Sequence, residues 1–276
     1  MPELPEVETV RTALANAMEG KPISQVLVWR SNLRIPVPKD FSDTVRGLVV
    51  NRIRRRAKYL QIFLEEEKVI LIHLGMSGKM LIDNDWCDTN KKFKHEHITF
   101  FAGDSSAIRF VDPRRFGLVD LCTQDKLSSH PLLIKLGLEP LTNDFNDVSL
   151  KKTLKNKNVS IKAALLNQQI VSGLGNIYAC EALWHSRLSP TRNAFTITGK
   201  KAARLVHSIK KILTEAISVG GSTLRDHLSP DGERGYFQHS FKVYGREGAP
   251  CFVCKKPVQK IIQSGRSTFF CPNCQR

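Results

Sequence analysis

The sequence has no apolar run long enough to cross a bilayer, no signal-type hydrophobic stretch at its start and no lipidation motif. Those absences argue against an integral or secreted protein, and a soluble, cytoplasmic one is expected. Internal repeats and low-complexity tracts are also missing, which leaves a globular reading. Acidic residues are few: 26 Asp and Glu stand against 42 Lys and Arg in 276 residues, for a net charge of +16. At that length two domains and a small appendage are expected.

The positive charge is clustered. Arg52, Arg54, Arg55, Arg56 and Lys58 form one run, and residues 237–276 carry seven basic side chains against one acidic. Such clusters fit a polyanion, nucleic acid above all, because several phosphate contacts release counterions together. A membrane surface is the weaker reading. The seven cysteines divide as sharply. Cys87, Cys122 and Cys180 are scattered and read as ordinary thiols of a reducing compartment. Cys251, Cys254, Cys271 and Cys274 instead spell C-x2-C-x16-C-x2-C, a spacing that brings four thiolates to one tetrahedral centre on two knuckle turns. A disulfide or redox dithiol is the competing reading. One structural zinc ion (Zn2+) is expected, since four sulfur ligands leave no position for water and the segment is too small to bury a core unaided.

Between Lys21 and about Leu121, short apolar runs separated by turn residues predict strands at 23–29, 48–53, 59–64, 69–73, 97–101, 108–111 and 116–121. Runs of this spacing imply a β-sandwich or barrel. Pro131, Gly137 and Pro140 then mark a linker, and helices are predicted near 148–155, 161–168, 174–186 and 199–219. A loop rich in Gly and Ser, 220–235, precedes the cysteine-bearing tail, expected to be a β-hairpin around zinc. The predicted fold class is α+β in three parts: a β-sandwich domain with an N-terminal helix over 1–130, a helical domain over 131–236 and a zinc finger over 237–276.

The opening Met-Pro-Glu-Leu-Pro-Glu has two readings. Val7, Val10, Leu14 and Met18 recur at helical steps, Pro5 suits a first turn and Gly20 a stop, so an anchored helix is predicted, with Glu3, Glu6 and Glu8 at the positive end of its dipole. Pro2 then simply begins a helix. Alternatively, removal of Met1 leaves Pro2 as a secondary amine that is partly neutral at physiological pH and able to form a Schiff base. The segment Gly173-Leu-Gly-Asn176 is open in the same way. It either connects two helices or, with a helix starting at about Asn176, offers N–H groups and an amide to a phosphate.

Seven segments occur in order: MPELPEVETV at 1–10, RRRAKYL at 54–60, HLGMSG at 73–78, DPRRFG at 112–117, GLGNIYACEALW at 173–184, VYGREGAPC at 243–251 and GRSTFFCPNCQ at 265–275. Together they resemble the formamidopyrimidine-DNA glycosylases of the helix-two-turns-helix group over nearly the whole chain. The resemblance implies a bifunctional repair enzyme that flips an oxidised purine, 8-oxoguanine or a formamidopyrimidine, out of duplex DNA. Pro2 would attack the anomeric carbon, Glu3 would protonate the sugar ring oxygen and shuttle protons, and Glu6 would support the amine. β- and δ-Elimination from the iminium would follow, with no metal or organic cofactor in the chemistry. Zinc would act indirectly, by fixing the hairpin that presents Arg266.

The resemblance also assigns binding residues. Lys58, otherwise one more solvated cation, matches the family's active-site lysine, and Arg266 matches its phosphate-gripping arginine; both join the catalytic set. His73, Asn176, Tyr244 and Lys260 match positions that hold backbone phosphates, and His95 and Arg115 are counted with them as DNA-binding. Met76, Arg114 and Phe116 match the intercalating trio. Met76 would fill the void, Phe116 would wedge the stack and Arg114 would read the orphaned cytosine; core packing is the competing role for the two apolar residues. Residues 219–236 match the lesion-recognition loop, with Ser222, Thr223 and Arg225 as its contacts to the everted base. Lys255 departs from the family, which often has Gly there. The expected partner is damaged double-stranded DNA, bound by a monomer in a bacterial cytoplasm, with no membrane. Two rivals are an endonuclease VIII-like sister enzyme directed at oxidised pyrimidines, disfavoured by Leu4 and the intercalating trio, and a non-catalytic zinc protein that only binds DNA.

Overall fold

Strands of the first hundred and more residues pair in two antiparallel sheets, because apolar side chains alternate inward along them. They are β1 (Ile23–Val28), β2 (Val50–Arg56), β3 (Tyr59–Leu64), β4 (Lys68–His73), β5 (Lys79–Asp83), β6 (Glu96–Ala102), β7 (Ser106–Val111) and β8 (Leu118–Thr123). One sheet runs β1-β6-β7-β5 and the other β2-β3-β4-β8. The computed structural model describes residues 2–83, 92–103, 106–222 and 237–276; Cys87, Thr223 and Arg225 lie outside them. Contacts divide the chain into two units, Met1–Ile134 with Val219–Tyr236, and Lys135–Ser218 with Phe237–Arg276.

In the first unit α1 (Leu4–Met18) lays Val7, Val10, Leu14 and Met18 into the same core as Phe41, Ile62, Phe100 and Phe110. That stripe is the one its 3.6-residue period predicts. Gly20, at φ +77, follows it in a left-handed turn. Two elements go beyond the sequence prediction, α2 (Phe41–Val45) and β5.

In the second unit α3 (Asp147–Leu154), α4 (Ile161–Leu166), α5 (Asn176–His185) and α6 (Lys200–Ser218) fall close to the predicted spans. α5 packs on α6 and on the hairpin of β9 (Gln259–Gln263) and β10 (Arg266–Phe270). The hairpin turns through Ser264 and Gly265, at φ 50 and 71, a two-residue connection whose twist matches that of the strands.

Candidate functional site

Pro2, Glu3 and Glu6 are all buried at the start of α1. A capping box holds them: the Glu3 N–H donates to Glu6 Oε2 at 2.9 Å, and the Glu3 carboxylate accepts the Glu6 N–H. The other Glu6 oxygen accepts both the N–H and the hydroxyl of Ser222, at 2.8 and 2.9 Å. Gly221 makes this approach possible, since its φ is +77 and a Cβ would stand 3.0 Å from Glu6 Oε1.

α1 is fixed to the sheet by Glu8, whose carboxylate meets Arg55 of β2 at 2.7 Å. Three residues on, Lys58 sits buried in the two-residue turn between β2 and β3, where Arg56 pairs with Tyr59 and Ala57 adopts φ 54. Arg55 also donates to the Ala57 carbonyl at 3.0 Å. Across the sheet Tyr59 pairs with His73, their rings 4.7 Å apart. Burial, then the charges of Lys58 and Arg34, push His73 down to about 4, so its imidazole is neutral at pH 7. Its Nδ1 accepts the Gly75 N–H at 2.9 Å, which leaves the proton on Nε2 as a donor. Burial raises Tyr59, partly opposed by Arg34.

Two loops beyond His73 meet around Asp112. Its carboxylate is fully buried and accepts the Ser77 hydroxyl at 2.5 Å, the Gly117 N–H at 2.8 Å and the Arg114 N–H at 3.2 Å. His97 Nε2 bonds the Asp112 carbonyl at 2.7 Å. The loops touch at Gly75, where a Cβ would lie 2.4 Å from the Phe116 carbonyl carbon. On this platform Met76 is 39% and Phe116 44% exposed. Arg114 lies 4.8 Å over the Phe116 ring, a cation–π contact, and exposed Arg115 stands at φ 58. Exposed His95, at φ 64, precedes β6, and its carbonyl accepts the Asp112 N–H at 3.0 Å.

In the second unit Arg266 is exposed at the hairpin tip. Its strand is gripped from behind: fully buried Lys162 of α4 donates to the Ser267 carbonyl at 3.1 Å and the Thr268 hydroxyl at 2.6 Å, and Asn176 Nδ2 donates to the same carbonyl at 2.9 Å. Gln168 braces the glycine turn before Asn176, accepting the Gly173 N–H and donating to the Leu174 carbonyl, both at 2.8 Å. Glu181 of α5 receives the N–H groups of Lys242, Val243 and Tyr244 at 2.8–2.9 Å; burial raises it, against the pull of those bonds. Tyr244 packs edge-on against Phe269 at 5.2 Å. Lys260 is exposed and pairs with Glu247 at 3.0 Å.

The four cysteine sulfurs lie within 4.8 Å of one another, with Cys254 and Cys271 at 3.4 Å and Cys251 and Cys274 at 4.0 Å. Tetrahedral zinc–thiolate bonds of about 2.3 Å require sulfurs about 3.8 Å apart, so the set fits one structural zinc ion. The thiols also cannot ionise alike unaided. Burial acts upward at Cys251 but is outweighed by the Cys254 and Val253 N–H groups, leaving it at about 6, while burial and the adjoining sulfurs push Cys274 up to about 12. A divalent cation removes that conflict.

Asp112, Lys162, Gln168, Glu181 and Arg34 were not singled out in the sequence. The available signal was a charge on a face that should be apolar, as for Glu181 within the otherwise apolar Ile177–Leu183.

A two-sheet domain, helices joined through glycines and a four-cysteine hairpin define the class of zinc-finger, helix-two-turns-helix proteins. Three family models match in that order: formamidopyrimidine-DNA glycosylase N-terminal domain over residues 1–119, formamidopyrimidine-DNA glycosylase H2TH domain over 136–227, and zinc finger found in FPG and IleRS over 248–276. The chain belongs to the formamidopyrimidine-DNA glycosylase family. It is 49% identical over 283 residues to the formamidopyrimidine-DNA glycosylase of Roseobacter denitrificans, with all of both chains covered. MutM (Fpg) from Thermus thermophilus matches with a TM-score of 0.88 at 38% identity, over 99% of this chain and 98% of that one. A mutant Fpg of Lactococcus lactis in complex with Fapy-dG-containing DNA matches with a TM-score of 0.90 at 33% identity over all of both chains. The expected α+β fold and zinc finger are borne out. Among the described residues no helix is long and apolar enough to cross a membrane.

Proposed function

We propose that the protein excises oxidised purines from duplex DNA through a Schiff base on Pro2, exposed by removal of Met1, and then opens the abasic strand by β,δ-elimination. The observation that carries this reading is the pair of buried carboxylates at the start of α1. The positive end of the helix dipole disfavours a protonated amine at Pro2 and so keeps its lone pair available. That lone pair forms the bond to the anomeric carbon as the bond to the purine breaks. Glu3 supplies the proton to the ring oxygen, and the iminium then acidifies the adjacent sugar proton so that the 3′ and 5′ phosphates leave in turn. Glu6, saturated by Glu3 and Ser222, acts as a brace.

Binding draws on buried or half-buried groups, Lys58, His73, Asn176 and Tyr244, as well as the exposed Lys260 and Arg266. Lys58, His73, Asn176, Tyr244, Lys260 and Arg266 take backbone phosphates, with Arg266 binding through its guanidinium fork. His95 and Arg115 add contacts. Met76 and Phe116 enter the stack in place of the flipped nucleotide, and Arg114 reads the orphaned cytosine. The bound zinc supplies structural closure of the hairpin. Solved relatives hold Fapy-dG-containing DNA, which supports a damaged duplex as partner. The working parts are taken as 1–130, 131–236 and 237–276, acting as a cytoplasmic monomer.

Borohydride trapping tests the reading. The mature protein should become covalently joined to a duplex bearing 8-oxoguanine opposite cytosine, and Pro2→Gly should lose the adduct while still binding DNA. Undiminished trapping by that variant overturns the role of Pro2. Faster cutting at thymine glycol than at 8-oxoguanine would shift the assignment to the pyrimidine-directed sister enzymes.

A further inference from the structure

A second group of cations gathers at the C-terminal end of α5, remote along that helix from Asn176 and the strand of Arg266. Ten residues of helix separate the two ends by about 15 Å. Here a cavity of about 620 Å³ is walled by Trp184, Arg187, Arg192, Lys201, Arg204 and Arg276 together with Cys274 of the zinc set, and no Asp or Glu lines it. Among the described residues none of these five cations forms an ion pair.

Two of the cations have a structural use. Arg204 Nε donates to the Ser186 carbonyl at 2.6 Å and Arg276 Nε to the Asn273 carbonyl at 3.3 Å. The others do not: Arg192 Nε is buried without an acceptor, an arrangement that costs stability unless a partner arrives. α6 adds to the imbalance. It opens with Lys200, Lys201 and then Arg204, with no acidic residue in its first turn, so like charge faces the positive end of its own dipole. Several guanidinium groups and a lysine from the start of α6 around one concavity form a site for phosphate oxygens.

We propose that this cavity is a second anion site, taking a run of two or more phosphate groups. The shared chemistry could be presented by a free oligophosphate or by the backbone of a nucleic-acid strand other than the one held at Arg266. A single phosphate is satisfied by two guanidinium forks, so five cations without an ion pair among the described residues call for a more highly charged ligand.

The test uses the full-length, zinc-loaded protein and the double variant Arg192→Gln/Lys201→Gln, with zinc content and borohydride trapping on a short damaged duplex as controls that should not change. Calorimetric titration with inorganic tripolyphosphate should show binding weakened at least about tenfold in the variant, which identifies a free oligophosphate as ligand. A nucleic-acid ligand is identified instead if tripolyphosphate binding is unaltered while the slope of log affinity against log salt falls by about 1 to 2 for a long duplex and stays constant for the short one. Should the double variant lose zinc, Lys201→Gln alone is used, with about a threefold effect expected. Wild-type behaviour in both titrations overturns the proposal and leaves the Pro2 chemistry untouched.

Discussion

The turn that carries Arg114 with Phe116 and the turn that carries Arg266 hold out exposed side chains with buried ions of opposite sign. Asp112, fully buried, collects a hydroxyl and two amide N–H groups. Lys162, equally buried, donates to a carbonyl and a hydroxyl. The number of further supports differs. Residues 112–117 connect β7 and β8, strands paired within four-stranded sheets, so one carboxylate suffices to shape the loop. Among the described residues the hairpin of β9 and β10 has no other strand beside it, and two strands alone are marginal. It draws on a metal, a lysine from α4 and an amide from α5.

The two turns differ most at zinc. Cys251→Ser should cost the hairpin most of its metal-coupled folding free energy, on the order of 10 kcal/mol. Zinc content and strand cutting should collapse while the sandwich unit keeps its own unfolding transition; retention of zinc would contradict the four-sulfur assignment. The bracing ions come next. Asp112→Ala leaves the Ser77 hydroxyl and the Gly117 N–H without their acceptor, while the Arg114 N–H keeps Ser77 Oγ at 3.2 Å, and should cost about 3 kcal/mol in urea unfolding. Lys162→Met keeps the apolar stem and should cost about 2 kcal/mol, because the Ser267 carbonyl retains Asn176. The reverse order would show that the hairpin leans on Lys162 more heavily than the loop leans on Asp112, despite its additional supports from metal and Asn176.

These braces were the part least legible in the sequence. α1 and α6 could be read because their apolar residues repeat at helical steps, and Cys251 to Cys274 because ligand spacing is itself local. β5 was missed: KMLID shows no clean alternation, and its burial pattern is mostly intermediate. α2 spans only five residues close behind Pro36 and Pro38. Met76 and Phe116 could be placed on exposed loops from their Gly, Ser and Arg neighbours. Lys162 and Asp112 could not be understood that way, since a lone charge in a chain does not name the backbone groups it will meet 105 residues or 5 residues away.

Smaller effects sharpen the same contrast. His73 titrates near 4 in the folded protein against 6.5 ordinarily. As pH falls from about 6.5 to about 4 the unfolded chain takes up the proton first, so stability declines, by up to about 3 kcal/mol at the lower end. His73→Gln should flatten that part of the profile in denaturation measured across pH, with the hairpin unit unaffected. Lys255 stands at φ 63 in the first zinc knuckle, a left-handed conformation that costs a side-chain-bearing residue about 1 kcal/mol. Lys255→Gly should therefore raise stability by about that amount, and a lower melting temperature would show that its side chain has a use.

Glu181 has a consequence for how this chain can vary. One carboxylate on α5 recaptures the main chain at Lys242, Val243 and Tyr244, 61 to 63 residues later. The return point is thus set by an anchor and not by the length of what intervenes. Closing a longer connection costs only about 0.6 kcal/mol per doubling, so insertions and deletions between Ser222 and the recapture, which disturb neither α6 nor the Ser222–Glu6 bonds, are cheap. Length polymorphism among relatives should concentrate there, with the hairpin's placement inherited unchanged.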